Sequence, residues 1–223
     1  NTYSSKMNFQ SLKLIVCGTD TDVGKTIVSS LLVQGLNAIY WKPIQSGFED
    51  GGDTNTVKGI LNLPKERILT ERYKFKAAVS PHWAAEQENE LINPKNLSLP
   101  MVKQSLVIET AGGVMVPLTR QYMQIDQLKN WMLPIVLVAR SGLGTLNHTL
   151  LTIEALKKRN IPLLGIILNG AFHPDNPKTL EEISGVAIIA QLPILDKVSS
   201  QVLSKIWIEQ KISERLEHLL KGS

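Results

Sequence analysis

Residues 12–17 form an apolar run that passes directly into Gly18-Thr19-Asp20-Thr21-Asp22-Val23-Gly24-Lys25-Thr26, and residues 25–34 then carry an apolar helical pattern. Strand, glycine-bounded loop and helix in immediate succession is the setting in which Gly24-Lys25-Thr26 closes a phosphate loop of the Walker A type. The physics selects these residue types. Glycine lets the backbone turn its N–H groups onto phosphate oxygens, and the helix N-terminus adds favourable dipole charge. Lys25 can reach the β- and γ-phosphates, while the Thr26 hydroxyl can hold Mg²⁺. Five residues separate Gly18 from Gly24, one more than the common pattern.

The rest of the chain repeats the alternation. Short apolar runs rich in β-branched residues at 38–42, 105–109, 135–139, 163–168 and 186–190 predict strands. Helical patterns at 54–61, 81–88, 125–131 and 145–159 lie among them, and 197–220 is also helix-like. Runs that are apolar at nearly every position belong to a parallel sheet covered on both faces. The expected fold class is therefore α/β: a doubly wound, mostly parallel sheet of the P-loop NTPase kind, as a single domain over 7–223. Met7 reads as the natural initiator and residues 1–6 as a remnant of recombinant expression. In such a sheet, ligands sit beyond the carboxyl ends of the strands. Composition adds exclusions: one cysteine, Cys17, permits no intrachain disulfide, and a formal net charge of +4 without a basic run gives little reason to expect nucleic acid. No apolar stretch reaches bilayer-spanning length, and the start lacks the apolar core of a signal peptide, so a cytoplasmic location without a membrane partner is expected.

Polar residues stand where the chemistry is expected. Lys42 ends the second apolar run and is followed by Pro43-Ile44-Gln45-Ser46-Gly47. A second cation at that edge could stabilise charge on a transferring phosphoryl group. Glu109 ends the 105–109 run, before Thr110-Ala111-Gly112-Gly113, in the Walker B manner of a Mg²⁺-holding carboxylate. Asp53 follows Gly51-Gly52; alone it reads as a helix N-cap, and together with Thr26 and Glu109 as a third oxygen ligand to Mg²⁺. Asn169-Gly170 alone reads as a turn, although an asparagine amide can also pair with a purine edge. In Gly142-Leu143-Gly144-Thr145-Leu146-Asn147-His148, the glycines and Thr145 are expected to leave the first helical N–H groups free for a carboxylate. Thr145 could instead cap its own helix.

These residues, taken in order, resemble the dethiobiotin synthetases. The extended loop looks like the family's G-T-D-T-x-V-G-K-T, which accounts for the five-residue spacing. Lys42-Pro43 with Ser46-Gly47, Asp53, Ser80-Pro81-His82, Glu109 with Ala111-Gly112-Gly113, Gly144 to His148, Asn169 and Leu192-Pro193 continue the match from about Leu12 to Leu195. The resemblance implies ATP- and Mg²⁺-dependent closure of the dethiobiotin ureido ring from 7,8-diaminononanoate and CO₂. It implies Lys42 and Lys25 as catalytic residues, and Thr26, Asp53 and Glu109 at the metal. For the nucleotide it implies Asp22, Val23, Gly24, Lys25, Thr26, Ile27, Asp53, Glu109, Gly112, Asn169, Gly170, Pro193, Ile194 and Leu195. For the substrate it implies Thr21, Ser46, Thr145, Leu146 and Asn147, the last three supplied by the partner subunit of a homodimer. Three departures stand out: Thr110 where many members have glycine, only fifteen residues between Thr26 and Lys42, and no matching motif beyond Leu195.

Other readings share part of this pattern. A ligase of the cobyrinic acid synthetase type uses the same loop logic but carries a glutaminase domain. A ParA/MinD-like ATPase carries an extra lysine early in the loop, where this chain has Asp20. A catalytically silent nucleotide-binding module is the third.

Overall fold

Strand β1 (Lys13–Gly18) shows why the sheet must be covered on both sides. Leu14 and Val16 join one apolar cluster, Ile15 and Cys17 the opposite one, and all four are fully buried. The structure is a computed structural model that describes residues 11–222; the expectations about Met7 and residues 1–6 fall outside the described residues. After β1 come α1 (Lys25–Gly35), β2 (Ile39–Trp41), β3 (Ile44–Ser46), α2 (Gly52–Leu61), β4 (Ile68–Leu69), β5 (Tyr73–Phe75) and α3 (Pro81–Gln87). The second half runs β6 (Leu106–Gly113), α4 (Gln124–Trp131), β7 (Ile135–Arg140), α5 (Thr145–Lys158), β8 (Leu163–Asn169), α6 (Asn176–Ser184), β9 (Ile188–Leu192), α7 (Ser200–Glu209) and α8 (Ile212–Lys221).

The main sheet has seven strands in the order β4-β2-β6-β1-β7-β8-β9, and every pairing is parallel. One face packs against α1, α7 and α8 through Val28, Leu32, Leu203, Ile206, Ile212 and Leu216. The other packs against α4, α5 and α6 through Ile125, Leu128, Ile153, Leu156 and Leu180. Burying a side chain such as Ile212 or Leu216, both 0% exposed, contributes roughly 1.5–3 kcal/mol. Strand β1 lies between β6 and β7, so the phosphate loop leaves the middle of the sheet.

Several elements differ from the sequence expectation. Strands β3 and β5 pair with each other in a small parallel sheet beside the main one, and β4 and α6 were not expected. The strand expected at 105–109 continues to Gly113, and that expected at 186–190 lies at Ile188–Leu192. The helix-like stretch 197–220 is two helices, broken where Lys211 takes a left-handed backbone, φ 51°. The helix after the phosphate loop is indeed short, with eleven residues. Gly35 near its end lies under the Trp207 ring of α7, which a Cβ there would strike. The segment without a matching motif therefore packs against the shortened helix.

That segment, together with Glu181 of α6, also closes the outer edge of the sheet. The Ile188 N–H donates to Glu181 Oε1 (2.7 Å), and Arg215 donates to the Ile188 and Ile189 carbonyls at 3.1 and 3.2 Å. Gln210 accepts from the Gln191 N–H at 2.8 Å and donates to its carbonyl at 2.6 Å. Side chains thus occupy β9 hydrogen-bonding groups that would otherwise recruit another strand.

Candidate active site

The phosphate loop is held open by its own chain geometry. Gly24 has φ +100°, and a Cβ there would collide with the Asn169 side-chain amide. Only glycine satisfies both the left-handed backbone and that close approach. Asn169, the last residue of β8, donates to the Val23 carbonyl at 3.0 Å. The Val23 side chain is itself an anchor, 1% exposed in the core. Asn169 thus clamps the loop, a task its expected pairing with a purine does not include.

Lys25 opens α1, is 7% exposed, and donates to the Asp20 carbonyl at 3.1 Å. Among the described residues it has no carboxylate at ion-pair distance. Burial first, and the charge of Lys42 second, push its pKa down. A buried cation without a counter-ion is costly unless an anion arrives, which is what a phosphate site requires.

A second cation lies opposite. Lys42, 3% exposed just past β2, makes ion pairs with Asp53 Oδ2 at 2.6 Å and Glu109 Oε2 at 3.1 Å, and donates to the Thr110 carbonyl at 3.1 Å. Burial alone would lower its pKa, but the Glu109 and Asp53 charges outweigh burial and raise it. Asp53 shows the converse: burial would raise its pKa, and Lys42 holds it below the usual carboxylate range. Asp53 is not the cap of α2. The cap position is Gly51, and Asp53 lies inside the first turn with its carboxylate turned to Lys42. Gln45 fixes that turn by accepting from the Asp53 N–H at 3.0 Å and donating to the Gly47 carbonyl at 2.9 Å.

Glu109 is the hub, 1% exposed. Its Oε2 accepts from the Thr26 hydroxyl at 2.9 Å and from Lys42 at 3.1 Å, and its Oε1 accepts from the Tyr40 hydroxyl at 3.1 Å. Burial, then the Glu109 charge, pushes the Tyr40 pKa well up, so the phenol keeps its proton and donates. Thr110, the departure at a usual glycine, donates to the Val16 carbonyl at 3.2 Å, a structural role on the buried side of the sheet. Neighbouring Cys17 is a core thiol, pushed up to about 12 by burial. Gln124 donates to the carbonyls of Ala111 and Gly113, both at 2.8 Å, and steadies the turn at Gly112.

These groups line a cleft of about 860 Å³ that also includes Thr21, Asp22, Ile27, Gln45, Ser46, Ser80, Pro81 and Val116. The Ser46 hydroxyl is buried and has no partner among the described residues, a polar atom left for a ligand. Asp53 and Glu109 bring two carboxylates around the Lys42 ammonium, and the Thr26 hydroxyl joins them through Glu109 Oε2. No group of three or more His, Cys, Asp and Glu side chains suited to a metal occurs among the described residues. One or two carboxylates, a hydroxyl and substrate phosphates are the donor set that Mg²⁺ takes, so the residues fit that ion.

Other expected site residues stand apart. Pro193 and Ile194 are exposed and Leu195 half-buried on a turn outside the cleft, next to it through the Gly170 N–H on the Leu192 carbonyl at 3.0 Å. Thr145, Leu146 and Asn147 line no part of the cleft. The Thr145 hydroxyl turns inward to Thr149 at 3.0 Å and does not cap α5, whose cap position is Gly144. The Thr145 N–H is not free, as expected from the sequence, but bonds to the Gly142 carbonyl at 3.2 Å. Asn147 is exposed on the outer surface. Two residues were missed by the sequence reading: Gln45, which lines the cleft, and Tyr40, which lies behind it against Glu109. Strand alternation could have found Tyr40, since it lies two residues before Lys42 and so faces the same side.

Comparison with known proteins completes the description. A family model described as an AAA domain matches residues 13–202. The ATP-dependent dethiobiotin synthetase BioD of Brucella anthropi is 44% identical over 195 residues, 87% of this chain and 92% of that protein. The protein of the same name from Afipia carboxidovorans is 45% identical over 199 residues, 89% of this chain and 95% of that protein. The biotin biosynthesis bifunctional protein BioCD of Bordetella avium is 44% identical over 198 residues, 88% of this chain and 42% of that longer protein. Among solved structures, a ParA family ATPase from Chlorobium tepidum superposes with a TM-score of 0.53 at 12% identity, covering 94% of this chain and 98% of that one. That likeness concerns the fold, a P-loop-type parallel sheet.

Proposed function

The chain belongs to the ATP-dependent dethiobiotin synthetases, ligases of biotin biosynthesis, and from that premise we propose that it closes a ureido ring on 7,8-diaminononanoate with CO₂ and ATP in the cleft around Lys25 and Lys42. One amine of the diamine takes up CO₂ as a carbamate and releases a proton. A carbamate oxygen attacks the γ-phosphorus and ADP leaves, giving a carbamic–phosphoric anhydride. The second amine attacks the carbonyl carbon, phosphate departs, and the amine nitrogen gives up a proton, leaving the neutral ureido ring. An anionic carbamate must approach an anionic phosphoryl group, and fixed positive charge in a water-poor site makes that approach possible.

The observation that carries the proposal is the pair of buried lysines, one without a carboxylate partner among the described residues and one between Asp53 and Glu109. Lys25 and the loop N–H groups hold the phosphates, and Lys42 lies where charge develops. The unpartnered Ser46 hydroxyl takes the reacting end of the diamine. Thr26, Asp53 and Glu109 hold Mg²⁺, which supplies charge neutralisation on the phosphates when bound. Asn169, Gly170 and the turn 193–195 border the base.

The working unit proposed is a homodimer in the cytoplasm, one domain over 7–223. The exposed Asn147, in the first turn of α5, receives the substrate carboxylate at a neighbouring subunit's cleft. Among the described residues no helix is long and apolar enough to cross a membrane. The deciding assay supplies labelled bicarbonate, the diamine and ATP. ATP-dependent label in dethiobiotin, with matching phosphate release, is expected. Phosphate release that ignores diamine and bicarbonate would overturn the proposal.

A further inference from the structure

Tyr40 is a tyrosine with its whole side chain buried, 0% exposed, in a strand otherwise chosen for packing. Its hydroxyl meets Oε1 of Glu109 at 3.1 Å. Because β2 alternates, Tyr40 and Lys42 point to the same side of the sheet and reach the same carboxylate, one at each oxygen. Thr26 joins Lys42 on Oε2. The two oxygens of Glu109 therefore face different environments, and the ring that holds Oε1 cannot itself reach the cleft.

The three donors differ in what else they can do. Under the proposed function, the Lys42 ammonium turns to the reacting groups and the Thr26 hydroxyl to the metal. Among the described residues the Tyr40 hydroxyl has no hydrogen-bond partner other than Glu109. We propose that Tyr40 is a positioning residue, whose hydroxyl fixes the Glu109 carboxylate so that Oε2 alone is presented to Mg²⁺ while Lys42 and Thr26 exchange partners. The inference rests on the reading of Glu109 as a metal ligand. A buried carboxylate with one oxygen untethered can rotate about its last bond, and its average position as a ligand blurs. Partners that orient a ligand in this way typically change metal affinity by about 10–100-fold when removed.

The test compares Tyr40→Phe, Glu109→Gln and the double variant. Mn²⁺ serves as the probe, its free concentration followed by electron paramagnetic resonance in the presence of ADP. Tyr40→Phe should weaken Mn²⁺ binding on the order of 10-fold while ADP binding in EDTA stays at the wild-type value. In turnover, the Mg²⁺ concentration for half-maximal rate should rise more than kcat falls. On the Glu109→Gln background, removing the Tyr40 hydroxyl should cost little further, because the tyrosine acts through the carboxylate.

Wild-type Mn²⁺ affinity in Tyr40→Phe, beside a clear loss in Glu109→Gln, overturns the role of Tyr40 and leaves the metal reading intact. Equal weakening of ADP binding in EDTA makes Tyr40 a packing residue only and also overturns it. Unchanged Mn²⁺ affinity in Glu109→Gln removes the metal reading, and the inference falls with it.

Discussion

Replacing Lys42 by methionine keeps the stem and removes the ammonium from between Asp53 and Glu109. In the protein without nucleotide, that ammonium is the cation the two carboxylates share, at 2.6 and 3.1 Å. Breaking a buried pair by removing one partner costs about 3–5 kcal/mol, since a charge is left uncompensated. Glu109 is 1% exposed, but the Asp53 side chain is 31% exposed and keeps water, so the lower figure, about 3 kcal/mol, applies. For a chain of 223 residues this lowers the thermal midpoint by roughly 6–12 °C. The same two carboxylates are the proposed Mg²⁺ ligands, so Lys42 and the metal compete for them. Thermal unfolding with EDTA and then with Mg²⁺, without nucleotide, should show Mg²⁺ restoring much of the loss in Lys42→Met and moving the wild type far less. Turnover should remain on the order of 10²-fold below wild type, with ATP affinity largely kept. A metal-free variant as stable as wild type, or equal Mg²⁺ shifts in both, would refute the shared-cation reasoning.

Lys25→Ala should reduce turnover on the order of 10²-fold or more, read by steady-state phosphate release; near-native turnover would displace Lys25 from the phosphates. The lowered pKa of Asp53 means its contribution is complete above the usual carboxylate range and is lost as pH falls through its folded value; the raised pKa of Lys42 means its contribution is complete below the usual lysine range and is lost as pH rises beyond it. The urea midpoint of wild type should therefore fall more steeply than that of Asp53→Asn on the acid side, and parallel curves would count against the pair. Mixing Lys42→Ala with Asn147→Ala subunits should restore some activity through one intact shared site; no recovery despite proven exchange would dismiss the proposed dimer.

How much was legible depended on how local the cause was. Strands β1, β7 and β8 are buried on both faces, and such burial writes continuous apolar runs into the sequence. Strand β3 lies inside the Pro43–Gly47 motif, β4 has two residues, and β5 is Tyr-Lys-Phe, so partners rather than local pattern define them. Helix α6 starts at Asn176-Pro177 and buries only Leu180 of its apolar residues, too thin a stripe to announce itself. The break at Lys211 carries neither Gly nor Pro. In the site, Thr26, Lys42 and Glu109 were visible because strand and loop ends are where this fold places ligands. Asp53 was ambiguous because two glycines before an acid resemble a cap; the choice fell to Gly51, which takes φ +84°. Tyr40 was missed because an aromatic in a buried strand reads as packing until its hydroxyl partner is known.

The closed edge of β9 has a consequence for the order in which the chain is made. The groups on Ile188 and Gln191 are covered in part by Gln210 and Arg215, which leave the ribosome after the strand itself. At 5–20 residues per second, the roughly 23 residues from Leu192 to Arg215 take about 1–5 s to emerge. During that interval a nearly finished parallel sheet presents an uncapped rim while the nucleotide half of the molecule is already synthesised. The exposure is therefore a matter of the time before α7 and α8 pack, not of equilibrium in the folded protein. It ends when the last two helices fold back and Arg215 reaches the strand.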